Sequence, residues 1–84
     1  MIETPAQDAA PAKTARVIKR SIVIAGHSTS VSLEDAFWRT LKEIAAKNGV
    51  SLAALVATVD AKRGDANLSS ALRVFTLEQS RQAR

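Results

Sequence analysis

Residues 28–38 read STSVSLEDAFW, and this stretch joins a strand to the start of a helix. In its first part polar and apolar residues alternate, as expected of a strand with one face buried and one face in water. Thr29, Val31 and Leu33 lie on the face predicted to be buried, and Ser28, Ser30 and Ser32 lie on the face predicted to be in water. The alternation predicts a strand over about residues 28–33.

The strand needs a partner. The preceding segment 17–25 is rich in β-branched residues, and Gly26-His27-Ser28 follows it as a break. A hairpin turning at Gly26-His27 is one solution, but an isolated two-stranded hairpin is barely stable in water. Pairing with a strand from a second copy of the chain is the other solution.

Three helices follow in the sequence. The first is predicted over 33–48, with Ser32 as N-cap, Asp35 three residues later and Gly49 as the stop. The second is predicted over 52–63 with Ser51 as its N-cap, and the third over 68–82 with Asn67 as its N-cap. Together these elements predict a mostly α fold with one short strand.

The rest of the chain adds little to a core. Residues 1–16 contain Pro5, Pro11 and five alanines, and we expect a disordered, basic and Ala-rich arm there, followed by one domain over 17–84.

The chain of 84 residues has no Cys, so no disulfide or cysteine-bound zinc can support the domain. A domain this small gains only a few kcal/mol, on the order of 3–5, from a single core. We therefore expect oligomerisation.

The composition also excludes several classes of function. One His, no Cys and scattered carboxylates give no catalytic constellation, metal site or cofactor motif, so we expect neither an enzyme nor a cofactor. The aliphatic runs, such as residues 22–25 and 52–57, are far shorter than the roughly 20 residues that a membrane span needs. We expect a cytoplasmic protein without a membrane partner. The net charge is +4, and residues 9–33 carry four cations and no acid, which suggests an anionic partner.

The order of these elements resembles the ribbon-helix-helix (MetJ/Arc-like) DNA-binding family. The motifs that carry the resemblance are Ser30-Val31-Ser32-Leu33 entering the first helix, Leu41-x-x-Ile44-Ala45 within it, Gly49-Val50-Ser51 at the turn, and Leu55-Val56 in the second helix. The longer stretch 26–38, with Asn67–Arg73, looks like a subgroup of small, mostly uncharacterised bacterial members.

The resemblance implies an intertwined homodimer. Each chain would give one strand to an intermolecular two-stranded antiparallel sheet, and the helices would cover its inner face. The third helix would be an additional C-terminal element. The implied dimer core consists of Val31, Leu33, Phe37, Leu41, Ile44, Leu55 and Val59.

The resemblance also implies double-stranded DNA as partner and a transcriptional regulator, such as a repressor, as function. A two-stranded ribbon fits the major groove, so Ser28, Ser30 and Ser32 are the predicted base contacts. The predicted phosphate contacts are Lys19, Arg20, Ser51, Leu52 and Ala53, the last three at the start of the second helix. His27, near the end of the ribbon, is a further candidate DNA contact. Serine discriminates bases poorly, so sequence preference should be modest.

Two features leave a second interpretation open. Trp38 is either part of the dimer core or an exposed binding site, and the third helix either extends the core or docks a partner. In the alternative function the protein is an interaction module, or an antitoxin-like protein, that binds a protein partner through the third helix. Duplex DNA from the protein's own upstream region would distinguish the two.

Overall fold

The computed structural model describes residues 15–82, which form a hairpin followed by three helices. The strands are β1 (Val17–Ile24) and β2 (His27–Glu34), and the helices are α1 (Asp35–Lys47), α2 (Leu52–Lys62) and α3 (Leu68–Gln82). A two-stranded antiparallel sheet with three helices confirms the predicted ribbon-helix-helix class with its C-terminal helix. The predicted N-terminal arm lies outside the described residues, except for its last two.

The sheet differs from expectation in one respect: both strands belong to the same chain. β1 pairs antiparallel with β2, from Val17 opposite Glu34 to Ile24 opposite His27. A two-residue turn joins them, with positive φ at Ala25 (52°) and Gly26 (83°), as a type I′ hairpin turn requires. The β-branched segment before the turn therefore supplies the partner strand within one chain. No second chain is part of the structure, so the homodimer remains a prediction.

The start of α1 corrects one detail of the sequence analysis. The prediction that Ser32 caps this helix is wrong, because β2 continues through Glu34, which becomes the N-cap residue and makes no side-chain cap bond. The backbone provides the capping instead. The Asp35 N–H donates to the carbonyl oxygen of Arg16 at 2.8 Å, so the residue before β1 closes the end of the helix.

The starts of the other two helices agree with the predicted caps. The Ser51 hydroxyl accepts a hydrogen bond from the Ala54 N–H at 3.0 Å at the start of α2. The Asn67 side-chain oxygen accepts one from the Ser70 N–H at 3.2 Å at the start of α3. These bonds satisfy N–H groups that a helix leaves without an internal partner.

The core lies between the inner face of the hairpin and the three helices. Of the residues predicted to form a dimer core, Val31, Leu33, Leu41, Leu55 and Val59 are buried inside this single chain, while Phe37 and Ile44 are half-buried. Their place in a dimer stays a prediction. The largest core residue is Trp38, which is fully buried and for which the sequence left a core position and an exposed position open. The buried stripe of α1 is therefore formed by Trp38, Leu41 and Ala45.

Among the described helices, no single one is long and apolar enough to cross a membrane. Only α1 and α2 taken together have the necessary length and composition, and the chain bends by 102° between them.

Candidate nucleic-acid interface

The outer face of the hairpin is polar and exposed. We use "outer face" for the side chains that point away from the helices: Lys19, Ser21, Val23, Ser28, Ser30 and Ser32. The register places Lys19 opposite Ser32 and Ser21 opposite Ser30. The structure thus brings the three predicted base-contacting serines together with Lys19, and it adds Ser21. Applying the period-two pattern to β1 would have identified Ser21 from the sequence.

Arg20 lies on the opposite, inner face. It pairs with the buried Val31, and its guanidinium carbon lies 5.4 Å from the centre of the Trp38 ring, within the range of a cation–π interaction. Its Nε atom is buried and has no hydrogen-bond partner among the described residues. Lys19 and Arg20 were predicted as a pair of phosphate contacts, but the structure separates them onto two faces of the sheet.

Trp38, a residue of α1, links this helix to the hairpin. Its ring is fully buried, and its Nε1–H donates to the carbonyl oxygen of Ile18 in β1 at 2.9 Å. The bond joins residues 20 positions apart. A buried indole usually finds a partner for its N–H, and here the partner is the strand backbone. Trp38 is therefore a core residue in the single chain and not an exposed binding site.

A second attachment runs from the end of β2 to α3. The Arg73 Nε–H donates to the Glu34 carboxylate at 2.9 Å, and the Arg73 guanidinium carbon lies 5.9 Å from the centre of the Phe37 ring. The hydrogen bond from Arg73 lowers the pKa of Glu34 below its usual value. Both side chains are about one-third exposed, so solvent weakens the pair. The structure nevertheless gives α3 a contact with the strand that carries the serines.

The other predicted contacts lie at the ends of elements. Ser51 is the N-cap of α2 and Leu52 and Ala53 are its first two residues, where the backbone N–H groups have no acceptor within the helix and favour an anion. The first turn of α2 contains no acid that would repel a phosphate. His27 is exposed directly after the hairpin turn. Among residues 15–82, no three His, Cys, Asp or Glu side chains lie close enough to hold a metal ion.

Comparison with known proteins agrees with this architecture. A family model described as a ribbon-helix-helix domain matches residues 17–80, which include both strands and nearly all of α3. The chain belongs to the ribbon-helix-helix family. Members of this family are generally DNA-binding regulators that form dimers. Comparison with curated proteins gives no match.

One similar solved structure is that of an uncharacterized protein from Bordetella pertussis Tohama I. The two chains are 39% identical and superpose with a TM-score of 0.74, over 88% of this ribbon-helix-helix chain. The match covers 64% of the Bordetella chain.

Proposed function

We propose that this ribbon-helix-helix protein is a dimeric regulator of transcription that binds double-stranded DNA. The outer face of the hairpin enters the major groove, and the start of α2 contacts a phosphate. The observation that carries the proposal is the row of exposed Ser28, Ser30 and Ser32 beside Lys19, on a sheet whose other face is buried. Such a protein acts in the cytoplasm, on the nucleoid.

The charges of the outer face fit this role. Lys19 is exposed at the same level of the ribbon as Ser32, so it reaches a phosphate while the serines face the bases. Phosphate contacts position a protein on DNA, and base contacts select the sequence. Because each serine makes a single contact in place of a bidentate one, its contribution lies at the low end of the usual range of about 1–3 kcal/mol.

The test is a competition titration of the protein's own upstream duplex against a scrambled duplex at one salt concentration. We expect the double variant Ser30→Ala with Ser32→Ala to lose most of its preference for the upstream duplex while non-specific binding persists. The matched control removes two exposed serines from α3, Ser70→Ala with Ser80→Ala, and should keep the preference. If the ribbon variant keeps it too, bases are read elsewhere.

One observation supports a second candidate. On α3, Val74 and Leu77 are large apolar side chains that are 53% and 54% exposed. This supports a docking role for α3 toward a protein partner, as an interaction module or antitoxin would need. A failure of the wild-type protein to shift any duplex at low salt, combined with correct folding, would favour this candidate over DNA binding.

A further inference from the structure

One large apolar side chain lies among the polar residues of the outer face. Val23 is 63% exposed, the largest exposed fraction of any large apolar side chain in residues 15–82. It does not belong to the hydrophobic core, and its cross-strand neighbour is Ser28. The single chain therefore gains almost no buried apolar surface from this valine.

Val23 lies beside the residues to which the proposed function assigns base contacts. The outer face of β1 carries Lys19, Ser21 and Val23, and Ser21 is opposite Ser30. Successive residues on one face of a strand are about 7 Å apart, so the Val23–Ser28 pair directly follows the Ser21–Ser30 pair. A surface that contacts both Ser28 and Ser30 is therefore within reach of Val23.

The chemistry of valine limits what it recognises in the major groove. Its side chain has no hydrogen-bond donor or acceptor, so it does not read the polar groups on the base edges. The apolar group that the major groove displays is the C5-methyl group of thymine. Contact between this methyl group and a valine removes apolar surface of both from water, which is favourable.

We propose that Val23 gives the protein a preference for thymine within its DNA site, through contact between the valine methyl groups and the thymine C5-methyl group. The inference rests on the proposed function, because it requires the outer face of the hairpin to lie in the major groove. It places a base-selective residue on β1, whereas the serines predicted to contact bases are all on β2. Serine bonds to donors and acceptors alike, so Val23 adds a selectivity that the serines lack.

Val17 provides a matched control at the other end of the same strand. It lies on the same side of β1 as Val23 and is 55% exposed. Its cross-strand neighbour, however, is Glu34, whose carboxylate accepts a hydrogen bond from Arg73 of α3. A carboxylate repels DNA phosphates, whereas residues 9–33, which include Val23 and the turn, contain no acid. We therefore expect Val17 to make no base contact.

The test compares the protein's own upstream duplex with the same duplex in which deoxyuridine replaces every thymidine. The replacement removes the C5-methyl group and leaves the hydrogen-bonding groups of the base in place. We expect wild type to bind the thymine duplex about four-fold more tightly, the effect of one buried methyl group. Val23→Ser should lose most of this ratio, and Val17→Ser should keep it.

The comparison of ratios separates direct contact from changes in the DNA itself. Loss of the methyl groups also alters the shape and flexibility of the duplex, but it does so equally for all the proteins. Val23→Thr keeps the branched side chain and one of its two methyl groups, so its ratio should lie between those of wild type and Val23→Ser. Circular dichroism checks that each variant keeps its helices. Equal ratios for wild type and Val23→Ser overturn the proposal.

A second measurement uses only the wild-type protein. In the nuclear magnetic resonance spectrum of its complex with the upstream duplex, a nuclear Overhauser effect should connect the Val23 methyl protons with a thymine methyl group. A complex in which Ser28 and Ser30 show such effects to bases, while Val23 shows none to thymine, overturns the proposal.

The outcomes also distinguish this proposal from the proposed function. A wild-type protein that shifts no duplex contradicts DNA binding and the role of Val23 together. A wild-type protein that prefers its upstream duplex over a scrambled one, but binds the thymine and uracil forms equally, contradicts the role of Val23 alone.

Discussion

The two faces of the hairpin are made from alternate residues of the same strands, yet they differ in almost every physical property. On the inner face Val31 and Leu33 are 2% and 0% exposed, and Arg20 is stacked on a tryptophan. On the outer face, Ser28, Ser30 and Ser32 of β2 are exposed. The inner face therefore determines stability, while the outer face is free to vary with little effect on the fold. Substitutions on the two faces should separate these effects.

The largest effect is expected on the inner face. Val31→Asp places an unpaired charge in the core, at a penalty of several kcal/mol, which is comparable to the whole stability of a small domain. We expect the variant to lose its helical circular dichroism signal. The control is Ser21→Asp on the outer face of β1, which should unfold within about 0.5 kcal/mol of wild type. A Val31→Asp protein with a normal unfolding curve would refute the assignment of the two faces.

The next effect tests the attachment of the hairpin to α1. Trp38→Phe keeps an aromatic ring but removes the N–H that donates to the partly buried Ile18 carbonyl oxygen. We expect a loss of about 1–3 kcal/mol in urea unfolding. Phe37→Leu, at the neighbouring half-buried position, is the control and should cost less than about 1.5 kcal/mol. Equal losses for the two variants would mean that the hydrogen bond adds nothing beyond packing.

A smaller effect is expected at the start of α2. Ser51→Ala removes the hydroxyl that caps the Ala54 N–H and should lower the free energy of unfolding by about 1 kcal/mol. The exposed Ser80→Ala on α3 serves as control. If the start of α2 also contacts a phosphate, Ser51→Ala weakens binding to upstream and scrambled duplexes alike, in contrast to the outer-face serines. A change in sequence preference would contradict that division.

The smallest effect concerns pH. Because Arg73 lowers the pKa of Glu34 in the folded protein, this pair stabilises the fold above the pKa of Glu34 in the unfolded chain, and the stabilisation disappears as the pH falls through the lower folded value. Unfolding measured at pH values below the ordinary 4.5 should therefore show a decline in wild type that Glu34→Gln lacks. Parallel curves for the two proteins would show that the pair is broken in solution.

The same comparison explains what the sequence could predict. The faces of β2 were predictable because alternation with period two is local and every serine follows it. The caps at Ser51 and Asn67 were also predictable, because a helix cap is likewise a local signal in the sequence. By contrast, β-branched residues indicate that a segment is extended, but they do not show whether its partner strand belongs to the same chain. The sequence therefore left open whether β1 pairs with β2 of its own chain.

Other features depended on contacts that the sequence does not display. At the start of α1 the fully buried residue is Trp38, whereas the predicted Phe37 is half-buried; Leu41, one turn later, is buried as predicted. Arg20 was grouped with Lys19 by charge, although alternation already places it beside Ile18 and Ile22 on the inner face. The Arg73–Glu34 pair joins residues 39 positions apart, and no local pattern marks such a pair.

That separation has a consequence for the order of folding. A hairpin with a two-residue turn and three short helices are built mostly from contacts between near neighbours, which form quickly. The Arg73–Glu34 bond closes a much longer loop and should form after the transition state. Interactions that are absent from the transition state act on the unfolding rate and leave the folding rate almost unchanged. The Arg73–Glu34 bond therefore forms late in folding, and it slows the detachment of α3 from the hairpin during unfolding.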